Sequence, residues 1–64
     1  MERKLINGHG TTITIKYVEK WGNYLMRSTY KDGGMHLMFI KDAEAEVEML
    51  LDEGYVEVKD GSNL

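Results

Sequence analysis

The sequence predicts an α+β domain: a small antiparallel β-meander of four strands, then one helix packed on the sheet, then a final strand (β-β-β-β-α-β). Three observations carry this expectation. Apolar and β-branched runs recur at intervals of about 10–12 residues, joined by short Gly-containing turns. At Lys41 the apolar spacing changes from two to that of a helix. After Gly54 it returns to two in Tyr55-Val56-Glu57-Val58-Lys59.

Each element has its own justification. Lys4-Leu5-Ile6 opens the meander, and Asn7-Gly8 predicts a two-residue hairpin turn, whose central residues both need positive φ. Residues 11–18 alternate, with Ile13, Ile15 and Tyr17 on one face, as in a half-buried strand. Glu19-Lys20-Trp21-Gly22-Asn23 reads as a turn, residues 24–31 as the third strand, and Asp32-Gly33-Gly34 as another turn. Met35 to Ile40 is the fourth strand. Asp42 suits a helix N-cap, and Ala43, Val47, Leu50 and Leu51 fall on one helical face. Gly54 suits the left-handed residue beyond a helix end, with Tyr55 folding back on the last turn. Residues 1–2 and 60–64 are expected to fray.

Alternation sorts the strands into two faces. The expected helix-covered face holds Ile13, Ile15 and Tyr17; Tyr24, Met26 and Tyr30; Met35, Leu37 and Phe39; Val56 and Val58. The opposite face would carry Thr12, Thr14, Lys16 and Val18; Leu25, Arg27, Thr29 and Lys31; His36, Met38 and Ile40. Val18, Leu25, Met38 and Ile40 make that second face apolar enough for a homodimer or another partner, the alternative being singly exposed apolar residues.

Composition narrows the function classes. Sixty-four residues form one domain (1–64), and a chain this short buries only about 60% of its unfolded surface. It has no Cys, which removes disulfides and thiolate zinc sites as supports, and leaves an efficient core or oligomerisation. No apolar run approaches the roughly 18 residues of a membrane span, and no signal-peptide core follows Met1, so a soluble cytoplasmic protein without membrane contact is expected.

The net charge of −3 conceals an asymmetry. In residues 1–40, Arg3, Lys4, Lys16, Lys20, Arg27 and Lys31 outnumber Glu2, Glu19 and Asp32, for +3. Residues 41–64 carry −6. Such a separation creates one-signed surfaces that steer association. The helical segment holds Asp42, Glu44, Glu46, Glu48, Asp52 and Glu53 and no cation. Glu44, Glu48 and Asp52 are spaced i, i+4, i+8, which costs a few tenths of a kcal/mol per like-charged pair. Asp52 and Glu53 lie at the negative end of the helix dipole. Ala45 and Met49 fall on the outer face among these acids, as an apolar anchor within a charged rim would. The plainer alternative is a solvated charged face.

Catalysis finds little support. His9 and His36 lack metal-ligand spacing, and Asn7-Gly8-His9-Gly10 lacks the Lys-Ser/Thr of a phosphate loop. Ser28, Thr29 and His36 can meet across strands but without an orienting acid. No metal or other cofactor is expected, and no enzyme.

The expected function is therefore a non-enzymatic protein-binding module. Its acidic helix would dock on a basic, nucleic-acid-binding surface of another protein through Glu44, Ala45, Glu48, Met49, Asp52 and Glu53, with Trp21 as an exposed loop anchor. Trp21 capping the core is the alternative for that residue. Size and charge suit a DNA-mimicking inhibitor of the kind bacteriophages and mobile elements direct at host or defence proteins. The runner-up is a single-stranded nucleic-acid binder using Lys16, Arg27, Lys31 and His36. It is disfavoured because Tyr17, Tyr24, Tyr30 and Phe39 are expected on the opposite face from these cations.

Overall fold

A computed structural model of the chain describes residues 2–58. The elements run β1 (Glu2–Ile6), β2 (Thr12–Val18), β3 (Asn23–Thr29), β4 (Met35–Ile40), α1 (Ala43–Asp52) and β5 (Val56–Val58). All five strands form one antiparallel sheet in the order β4-β3-β2-β1-β5, and α1 covers one face while carrying the chain from one edge to the other. The β-β-β-β-α-β order is thus the one read from the sequence. Glu2, expected to fray, pairs with Lys16 instead. Residues 60–64 and Lys59 lie outside the described residues.

The turns explain the register. The first is not the two-residue hairpin that Asn7-Gly8 suggests, because Gly8 does not have positive φ. The Asn7 side chain instead accepts from the backbone N–H groups of His9 (2.9 Å) and Thr11 (3.0 Å), and the left-handed residue is Gly10 at φ 87°. An Asn that bonds its own downstream backbone in this way satisfies a longer loop. The third turn is held by Tyr30 N–H donating to the Gly34 carbonyl, with Asp32 accepting from Gly34 N–H.

Helix α1 begins and ends as its sequence directs. Asp42 accepts from Ala45 N–H at 3.1 Å, satisfying an otherwise free donor of the first turn. At the other end Tyr55 N–H donates to the Leu50 carbonyl and Gly54 N–H to that of Leu51, with Gly54 at φ 105°. This paired closure satisfies the last carbonyls and turns Tyr55 back onto the core.

The core lies between α1 and the first three strands. Leu5, Ile13, Ile15 and Met26 pack under Ala43, Val47 and Leu50, with Tyr24, Ile40 and Tyr55 at the margin. Each fully buried Leu or Ile contributes about 1.5–3 kcal/mol. Leu51, expected in this core, is exposed, because the buried stripe of the helix is only as wide as Ala43, Val47 and Leu50.

Cross-strand partners share a face, so the register sorts every strand residue. On the helix side, Leu5 pairs Ile13, Ile13 pairs Ser28 and Ser28 pairs His36. The next rows on that side are Arg3-Ile15-Met26-Met38 and Tyr17-Tyr24-Ile40. The open face has four rows. They are Val56-Ile6-Thr12-Thr29-Met35, Val58-Lys4-Thr14-Arg27-Leu37, Glu2-Lys16-Leu25-Phe39, and Val18-Asn23. Two strands therefore lie opposite to expectation. Met35, Leu37 and Phe39 are on the open face, while His36, Met38 and Ile40 are on the helix side. Val56 and Val58 are also open, because Glu57 turns toward the helix to meet Arg3.

Candidate binding surfaces

The outer surface of α1 is built from the residues that its core stripe leaves over. Ala45, Glu48, Met49, Leu51 and Asp52 line a shallow depression along it. Met49 is 49% and Leu51 45% exposed, so two large apolar side chains flank the Glu48/Asp52 row. The last turn holds no basic residue. Leu51 is a member of this surface that the sequence reading assigned to the core.

Glu44 belongs to a different arrangement. Arg3 of β1 donates from Nε and Nη2 to the two carboxylate oxygens of Glu57, at 2.6 and 2.9 Å, and from Nη1 to Glu44 at 2.8 Å. One guanidinium thus ties β1, β5 and the start of α1 together. The hydrogen bonds from Glu57 push the Arg3 pKa further above its ordinary high value, against the opposing effect of burial, and Glu44 adds to the rise. The helix segment has no cation of its own, but β1 supplies one.

A cleft of about 310 Å³ opens beside this bridge, lined by Arg3, Ile15, Tyr17, Tyr24, Ala43 and Glu44. The Tyr17 and Tyr24 rings meet edge-on at 5.1 Å. Its volume is at the lower bound of ligand pockets, about 300 Å³. Its cation is already bonded to two carboxylates, which leaves little charge for an incoming anion.

The open face of the sheet is the second surface. Lys4, Lys16 and Arg27 stand on it, with Glu2 paired beside Lys16. Phe39 is 55% exposed on the same face, and the 54% exposed Trp21 packs edge-on against it at 5.0 Å. Trp21 therefore extends the open face rather than capping the core, and sits across the sheet from the acidic helix. The sequence-predicted protein-binding residues do not form one surface: Glu48, Ala45, Met49, Asp52 and Glu53 share the helix exterior, while Trp21 is elsewhere.

The predicted cation set also divides. Lys16 and Arg27 share the open face, His36 is on the helix side opposite Ser28, and the Lys31 side chain lies against Gly10 at the loop end of the sheet. The proposed dimer residues separate likewise, with Val18 and Leu25 on the open face and Met38 and Ile40 on the other. Of the aromatics placed opposite the cations, Phe39 joins them, whereas Tyr17 and Tyr24 stay on the helix side. The number of turn residues carried the missed signal: a three-residue Asp32-Gly33-Gly34 loop and the observed longer one both pair odd-numbered β3 residues with odd-numbered β4 residues.

Ser28 is buried and directly opposite His36, but no side-chain hydrogen bond joins them among the described residues, and Thr29 points to the other face. Among the described residues no group of three His, Asp or Glu side chains could hold a metal ion, and no helix is long and apolar enough to cross a membrane. Comparison of the chain with known protein families, with curated proteins and with solved structures finds no match.

Proposed function

We propose that the protein is a protein-binding module that docks the outer face of α1 on a basic surface of another protein. The observation that carries this reading is the exposure of Met49 and Leu51 on either side of Glu48 and Asp52. Apolar anchors inside a charged rim are the anatomy of a protein interface. The carboxylates would select a positively charged partner and speed encounter with it. Glu44 contributes charge, but its bond to Arg3 makes it a helix anchor first. A cytoplasmic inhibitor that occupies a nucleic-acid-binding site by imitating its charge fits these features, and a phage or mobile-element origin fits the small size.

A photoreactive residue in place of Met49 tests the reading in cells that make the protein. A covalent adduct whose cross-linked site is a Lys/Arg-rich surface, and which disappears when Glu48, Asp52 and Glu53 are neutralised, supports it. An adduct indifferent to those charges, or none at all, refutes it.

A second reading gains support from the open face. Exposed Phe39 and Trp21 share it with Lys4, Lys16 and Arg27, and rings for stacking beside cations for phosphates are what single-strand binders use. Titration with a fluorescent single-stranded oligonucleotide at about 50 mM salt, where electrostatic binding is strongest, decides it. Absence of binding there eliminates this reading.

A further inference from the structure

The end strand β4 offers a free edge that neither surface above uses. It is the terminal strand of the sheet, and α1 leaves it uncovered: Met35 is 57%, Leu37 52%, Met38 42% and Phe39 55% exposed, and His36 is exposed as well. Both of its faces are therefore largely open, and among the described residues one of its edges has no neighbouring strand. Proteins usually protect such an edge with Lys, Pro, a bulge, short length or a covering loop. Met35-His36-Leu37-Met38-Phe39-Ile40 contains no Lys, Arg, Asp, Glu, Pro or Gly. Its six residues pair with β3 without a break in register, so no bulge turns the edge away. At the other side of the sheet β5 has three residues among those described, with Glu57 in the middle.

We propose that β4 is a self-association edge, along which a second copy of this chain pairs its own β4 antiparallel and extends the sheet to ten strands. Charge argues for a second copy as the occupant. Two copies repel where their acidic helices meet and where Lys4, Lys16 and Arg27 meet, and β4 is a long exposed element carrying no formal charge. A two-fold axis normal to the sheet preserves its faces. Centred on Leu37, it sets Met35 opposite Phe39 of the partner subunit on the open side, where sulfur–ring contact is favourable. On the helix side it sets His36 opposite Met38 of the partner subunit.

The area is adequate for a weak dimer. At the observed exposures, and with about 150–250 Å² for a full large side chain, Met35, Leu37, Met38, Phe39 and Trp21 offer roughly 500 Å² per copy. Two copies bury at most about 1,000 Å² in this way, near the lower bound for a specific interface, so the dimer is expected to be weak and to form only at high concentration. In this arrangement both acidic helices lie on the same side of the ten-stranded sheet.

Sedimentation of the full chain from about 5 to about 500 µM, with backbone hydrogen exchange at both ends of the range, tests this. The mass should rise from one chain toward two, and β4 amides should exchange more slowly at the higher concentration. Leu37→Lys, which sets like charges against each other across the axis, should remain monomeric throughout with an unchanged thermal melt. Met38→Lys, on the other face of the same strand, should do the same and stands in if Leu37→Lys fails to fold. Met49→Lys, on α1, should leave the dimer intact. A wild-type chain that stays monomeric at all concentrations overturns the proposal. So does a dimer without added β4 protection, which would place the contact on the open face, or one that survives both Lys variants.

Discussion

Neutralising the exposed acids at the end of α1 should stabilise the isolated protein. The perturbation is Glu48→Gln, Asp52→Asn and Glu53→Gln together, which keeps side-chain size and nearly keeps helix propensity. Asp52 closes α1 and Glu53 is its C-cap, at the negative end of the dipole, with no basic residue in the last turn. An unfavourable charge there costs about 0.3–1 kcal/mol per residue at low salt. The like-charged pairs Glu44–Glu48 and Glu48–Asp52 add about 0.2–0.5 kcal/mol each. Exposure and screening place the combined gain near the lower end of that range, about 1 kcal/mol, or roughly 4–8 °C in Tm for a domain of this size. Circular-dichroism melts at about 20 mM and about 500 mM salt provide the assay, because screening should remove most of the gain at the higher salt. A variant that melts at or below the wild-type temperature in low salt refutes the claim that these acids oppose their own helix.

Three further predictions concern the frame that presents this helix. Leu50→Ala, at a 5% exposed position of the α1–sheet core, should cost about 2–4 kcal/mol by chemical denaturation; a loss under 1 kcal/mol would mean that α1 is not packed as described. Arg3→Met should cost about 1–2 kcal/mol, more than an ordinary surface pair, because the bridge to Glu57 is two-pronged and only a quarter exposed. Its stability should also lose part of the salt sensitivity seen in wild type. Gly54→Ala forces a side chain into φ 105° and should lower stability by about 1–2 kcal/mol although its Cβ would meet no atom within 4 Å, so an unchanged melt would contradict the helix-end geometry.

The order of elements was legible because periodicity and caps are local. Asp42, Gly54 and the alternation of residues 12–18 act within a few residues of themselves, and each behaves as its chemistry directs. What failed was non-local. Every residue of Met35-His36-Leu37-Met38-Phe39-Ile40 is uncharged, so the strand has no polar alternation to reveal its face, and assigning the bulky Phe39 to the core put it on the wrong side. Register, set by loop length, decides that question. Val56 and Val58 were misplaced for a related reason: Arg3, far away in sequence, draws Glu57 to the helix side. Asn7-Gly8 misled because the Asn side chain bonds the backbone of a longer loop rather than adopting positive φ. The candidate surface on α1 was partly legible. Its acids and Met49 followed from helical spacing, whereas the exposure of Leu51 depends on how narrow a stripe the sheet accommodates.

The measurement closest to the central claim is the affinity of wild type and of the Glu48/Asp52/Glu53 neutralised variant for the protein that cross-links at position 49, taken at physiological salt. A loss of tenfold or more, alongside an equal or higher melting temperature, is the predicted result, since it separates binding from folding. Equal affinity for the two proteins would contradict the account.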